Sequence, residues 1–192
     1  MTGIDDYGRA MERARLLDEA RQAGVLPSPD IMRRYTFELL NPLHPDYSAV
    51  CEAREWTPGT GRCVYIWGSC RLESVGLTLL NAALDKLYSV ACYEAIDLRD
   101  LDSAPREIRT AAALLLHWID AACWQDPERI EPIIELLSAR RDMGKVTIVT
   151  ARVPPEQLVG VWDSPALQAA KTAILECLNT EVGDPLVLHL GG

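Results

Sequence analysis

The chain of 192 residues and 21.3 kDa fits one domain, or one domain with a short appendage, and its 48% hydrophobic and 24% charged residues exclude wholesale disorder. Nineteen Lys and Arg against 28 Asp and Glu leave a net charge of -9. That balance excludes a general phosphate-backbone binder, because non-specific nucleic-acid affinity comes from cations displacing counterions. No apolar run approaches the roughly 18 residues of a membrane span, and the charged N-terminus has no apolar signal core. A soluble, cytoplasmic protein is expected.

Residues 5–23 read as an amphipathic helix carrying Met11, Ala14, Leu16, Leu17 and Ala20, stopped by Gly24. Pro27, Pro29, Pro42 and Pro45 forbid a long element between Leu26 and Tyr47. A short helix over 46–56 ends at the turn Thr57-Pro58-Gly59-Thr60-Gly61. Apolar runs then alternate with helices: strands over 63–67, 90–96, 111–116, 145–150 and 186–190, and helices over 74–88, 128–141 and 164–179. The alternation predicts an α/β fold with a mostly parallel sheet, helices on both faces and right-handed crossovers.

The six cysteines, at 51, 63, 70, 92, 123 and 177, form no CxxC pair and several lie in apolar runs. Buried, reduced thiols fit this better than a disulfide scaffold or a zinc site, and Cys70 is the one expected to react. Arg33-Arg34 and Arg140-Arg141 read as surface pairs.

In such a sheet the ligand site lies beyond the carboxyl ends of the strands. The run from Gly68 through Ser69, Arg71 and Glu73 to Gly76, Leu77 and Thr78 occupies the strand-loop-helix position of a phosphate-binding loop. That loop needs two glycines five positions apart, a Lys for the outer phosphates and a Ser/Thr for magnesium. Here the glycines are eight apart, Leu77 stands where the Lys should be, and Thr78 alone survives. The spacing therefore predicts a lengthened loop without a phosphate claim. The third strand should deliver magnesium-binding acids, yet His117 and Trp118 hold those positions and Asp120 comes two residues late. His117 is expected to be a satisfied, partly buried histidine and Trp118 a packing residue.

Several segments together carry a resemblance: Tyr35-Thr36-Phe37, Tyr65-Ile66-Trp67-Gly68, Thr78-Leu79-Leu80-Asn81-Ala82, Gly144-Lys145, and Thr150-Ala151-Arg152-Val153-Pro154-Pro155 with Leu158. From about Arg34 to Gly192 the chain resembles the AAA+ ATPase core in its bacterial replication branch, the branch of the initiator DnaA, its regulator Hda and the DnaC-type helicase loaders. The resemblance implies a three-layer α/β/α P-loop-NTPase-like core over 34–192 with a five-stranded sheet, preceded by an N-terminal helix and linker over 1–33. Active members continue into a helical lid with a nucleotide-contacting arginine, whereas this sequence ends just past the fifth strand.

With the Lys, the acids and the lid missing from the pattern, the expectation is a catalytically inactive relative with no cofactor. Its degenerate nucleotide site would comprise Gly68, Ser69, Arg71, Gly76, Leu77, Thr78, His117, Trp118, Asp120, Thr150 and Arg152, and Leu77→Lys alone would not restore turnover. Such a protein would bind a protein partner among replication components, with no strong DNA binding of its own. The N-terminal helix is either a docking element or packed on the core. Two rivals stand beside this: a divergent ATP-binding ATPase using Arg71 for the Lys and Asp120 for the metal, and a structural subunit of a replication complex.

Overall fold

The computed structural model describes residues 3–37, 47–69, 71–119, 127–158, 165–180 and 183–191. Five strands, β1 (Val64–Gly68), β2 (Val90–Glu94), β3 (Ala113–His117), β4 (Val146–Ala151) and β5 (Leu186–Leu190), form one sheet in the order β2-β3-β4-β1-β5. Every pairing in it is parallel. The three central strands read as continuous apolar runs because helices cover both of their faces. β3 and β4 are buried at every position.

Two faces follow from strand alternation. One receives α4 (Leu72–Asp85): Gly76 of that helix packs so tightly on Leu115 that a Cβ there would meet its Cδ1 at 2.7 Å. The other receives α6 (Pro127–Asp142), which packs against α7 (Pro165–Leu178). The sequence places a surface pair at Arg140-Arg141, and the structure corrects half of it. Arg140 is fully buried beneath α6. It donates to Thr147 Oγ1 at 3.0 Å, to the Ile108 and Ala111 carbonyls at 2.8 and 3.1 Å, and to the Val146 carbonyl. The guanidinium thus closes the last turn of α5 (Arg106–Thr110), a helix too short to leave a periodicity in the sequence. Burial pulls the Arg140 pKa down to about 10.

The N-terminal helix α1 (Gly3–Gln22) is packed on the core through its second half. Leu16 and Ala20 are buried, while Arg13 reaches Asp85 Oδ1 at 2.6 Å and Asn81 Oδ1 at 2.9 Å on α4. Met11, expected on the apolar face, is instead 56% exposed, because the helix leaves the body before that turn. After α1 the chain turns at Gly24 and buries Val25, whose carbonyl accepts the Cys92 N–H of β2 at 2.6 Å. The described part of the proline-rich stretch includes the helical turn α2 (Pro29–Met32), and α3 (Tyr47–Glu52) leads through a 3-10 turn toward β1. Among the described cysteines, 51, 63, 92 and 177 are free thiols, with Cys63 and Cys177 buried; Cys70 and Cys123 lie outside the described residues. Burial pushes the Cys92 thiol up to about 12.

Candidate functional site

The carboxyl ends of β1, β3 and β4 converge with the N-terminus of α4, and the chain leaving β1 decides what this edge can hold. Gly68 adopts φ 144°, and a Cβ there would lie 1.6 Å from the Leu190 carbonyl oxygen. Only glycine lets β1 pass this close to β5. The Ser69 N–H then donates to that same oxygen at 3.0 Å, so the first amide beyond the strand is committed to the sheet.

Only residues 69–71 separate β1 from α4, and Arg71 occupies the left-handed N-cap position with φ 57°. The expected lengthened loop is absent: the connection is short, and Leu72 to Thr78 are already helix. The physical cause is the apolar stripe of Leu72, Val75, Leu79 and Leu80, all buried, which gains more by packing on the sheet as helix than as an open loop. Gly76 is therefore a helix-to-sheet contact. Leu77 is fully buried, and Thr78 is buried with its hydroxyl donating to the Ser74 carbonyl at 2.8 Å. Three of the expected site residues thus belong to the core.

A second group sits across β3 and β4. His117 ends β3, more deeply buried than expected, with Nδ1 at 2.7 Å from Thr150 Oγ1. Trp118 turns into the left-handed region at φ 57° and donates its N–H to the same hydroxyl at 2.9 Å, and the Ile119 N–H donates to the Thr150 carbonyl at 2.9 Å. Thr150 is a buckle between the two strand ends. The Arg152 guanidinium lies 4.7 Å from the Trp118 ring centroid, within cation–π range. Asp120 lies outside the described residues.

Arg71 and Thr78 are brought together with Arg34, Tyr35, Thr36, Ser74 and Val75 around a cavity of about 180 Å³. Asn81 holds this segment against α4 by donating to the Tyr35 carbonyl at 3.0 Å. The cavity is smaller than the roughly 300 Å³ at which ligand pockets begin. Toward β2 the edge is negative: Glu94 pairs in register with His117, and its carboxyl is held above the usual range by burial and then by Glu73 and Asp97. No cluster of three or more His, Cys, Asp or Glu suited to a metal occurs among the described residues.

Sequence reasoning missed Glu94 and the stack of Trp67 on His189, whose ring centroids lie 3.9 Å apart. Both depend on pairings between strands far apart in the chain, Glu94 with His117 and Trp67 with His189, which no local motif announces.

No protein-family model and no curated protein matches the chain. Solved structures do. The crystal structure of DnaI is similar with a TM-score of 0.62 at 14% identity, covering 90% of this chain and 97% of that one. The DnaC helicase loader gives 0.61 at 14% identity, covering 82% and 98%. AMPPCP-bound DnaA from Aquifex aeolicus gives 0.56 at 18% identity, and the chain spans 50% of its length. With the parallel β2-β3-β4-β1-β5 sheet and the helix leaving β1, these matches show that the chain shares the α/β fold of these replication proteins.

Proposed function

We propose that this chain is a catalytically inactive AAA+-like protein that works as a protein-interaction module in DNA replication, in the manner of an initiator regulator or helicase-loader relative. The carrying observation is the β1–α4 connection. A phosphate loop works by turning successive backbone N–H groups toward the anion before the helix starts. Here the Ser69 N–H is spent on β5, helix begins at Leu72, and the positions of the missing lysine and magnesium hydroxyl are buried at Leu77 and Thr78. The acidic surroundings of Glu73, Glu94 and Asp97 further disfavour a polyphosphate. The fold shared with DnaI, DnaC and DnaA supports the replication setting by analogy of architecture. A net charge of -9 suits a partner with a basic face, since complementary potentials raise encounter rates.

The second reading, residual nucleotide binding, has the Arg34 and Arg71 side chains beside the α4 N-terminus in its favour. Surface-immobilised chain titrated with the purified initiator and replicative helicase of its host, with and without Mg-ATP, separates the two. The interaction-module reading expects saturable binding to one of them, unchanged by nucleotide. Binding to neither, or binding that appears only with ATP, contradicts it.

A further inference from the structure

The two edges of the sheet differ. The Val25 carbonyl bonds to the outer side of β2, with α1 packed behind it. β5 forms the opposite edge, and although α3 packs against it, its outward backbone is not bonded in the same way. The Leu186 N–H donates to the Cys63 carbonyl at 2.9 Å, and the Leu190 carbonyl accepts from Ser69. Parallel ladders use every second residue, so 186, 188 and 190 face β1 while the N–H and C=O groups of Val187 and His189 point outward. Among the described residues none of these four groups has a hydrogen-bond partner. The strand reads Leu-Val-Leu-His-Leu, without the Lys, Glu, Asp or Pro that guards natural edges. Val187 is 46% exposed beside the His189 ring laid on Trp67.

We propose that β5 pairs antiparallel with β5 of a second copy of this chain, about a two-fold axis through Leu188. The outward groups lie symmetrically on either side of Leu188, so the strand is its own complement. Val187 opposes His189 of the second copy as a hydrogen-bonded pair, and the reverse, giving four backbone bonds. Each exposed Val187 is then covered by the other copy's histidine–tryptophan stack. The absence of charge on β5 selects no foreign partner of either sign. The strand pair alone falls well short of the ~1,200 Å² of a stable interface, so the dimer is weak, with Kd on the order of 10–100 µM. The like charge of the two copies opposes it, and salt strengthens it by screening that repulsion.

Sedimentation velocity of the full chain across this concentration range, at low and high salt, tests the pairing. A monomer–dimer equilibrium that shifts toward dimer with salt is expected. Val187→Pro removes only the outward donor and leaves every bond to β1, so it should abolish the dimer with its melting temperature retained. Val187→Lys, which charges the edge, should do the same should the proline variant fail to fold. Mixing Val187→Cys with His189→Cys chains under mild oxidation should give a 187–189 cross-link between copies, the register's own signature. A monomer at all concentrations, a dimer indifferent to both substitutions, or one weakened by salt, as a basic partner on this edge would be, overturns the proposal. None of these outcomes bears on the nucleotide site.

Discussion

A methyl group on Gly68 has nowhere to go, with backbone rather than a yielding side chain only 1.6 Å away. Gly68→Ala should cost at least ~3 kcal/mol, because β1 and β5 must part to admit it; urea unfolding of the purified variant, or its failure to express soluble, reads this out. Leu77→Lys, the obvious attempt to restore a phosphate-binding lysine, places an ammonium in the core. It should destabilise by ~3–5 kcal/mol without giving turnover, so its melting temperature must accompany any activity assay. Glu94 carries a pH signature. Its folded pKa is raised, so it binds its proton more tightly when folded, and its contribution is fully present below the unfolded pKa and lost as pH rises through the folded one. Glu94→Gln should therefore raise the melting temperature at pH 7 by about 1 °C, since burial and then the repulsion of Glu73 and Asp97 at a partly exposed carboxylate amount to a few tenths of a kcal/mol. The gain should vanish near pH 4, and an equal gain at both pH values would contradict the cause given.

At the scale of elements, α4 is where local pattern and fold diverge. Its apolar spacing made the helix legible, but the Gly68–Gly76 interval reads as a loop, whereas the helix starts at Leu72. Hydrogen exchange settles the boundary in solution: the Val75 N–H bonds to the Arg71 carbonyl at 3.0 Å. The amides of Val75, Gly76 and Leu77 should exchange as slowly as the middle of α4, while an open loop would exchange them orders of magnitude faster. β4 was the plainest strand, expected over 145–150 and found at Val146–Ala151, because Val-Thr-Ile-Val-Thr is β-branched throughout. β5 and the helices α6 and α7 were equally legible from period and caps. What the sequence hid came from tertiary partners. The burial of Arg140 depends on carbonyls some thirty residues upstream, and the Thr150 buckle on a strand neighbour 33 residues away.

For the whole molecule, a parallel sheet with the order seen in its structural neighbours carries a carboxyl edge given over to packing. Gly68 serves strand contact, Gly76 helix contact, and His117 and Trp118 end β3 against Thr150. The parallel order of strands demands only that helices cover both faces, so the scaffold persists whether or not its switch point holds a ligand. The proposed function requires that this switch point binds no nucleotide. Isothermal titration calorimetry of the full chain with Mg-ATP, paired with melting curves at the same concentrations, tests it most directly. The account predicts no saturable heat and no rise in melting temperature up to ~1 mM ATP, the weak end of ordinary nucleotide affinities. Stoichiometric binding in the micromolar range, with a melting temperature that climbs with ATP, would contradict it.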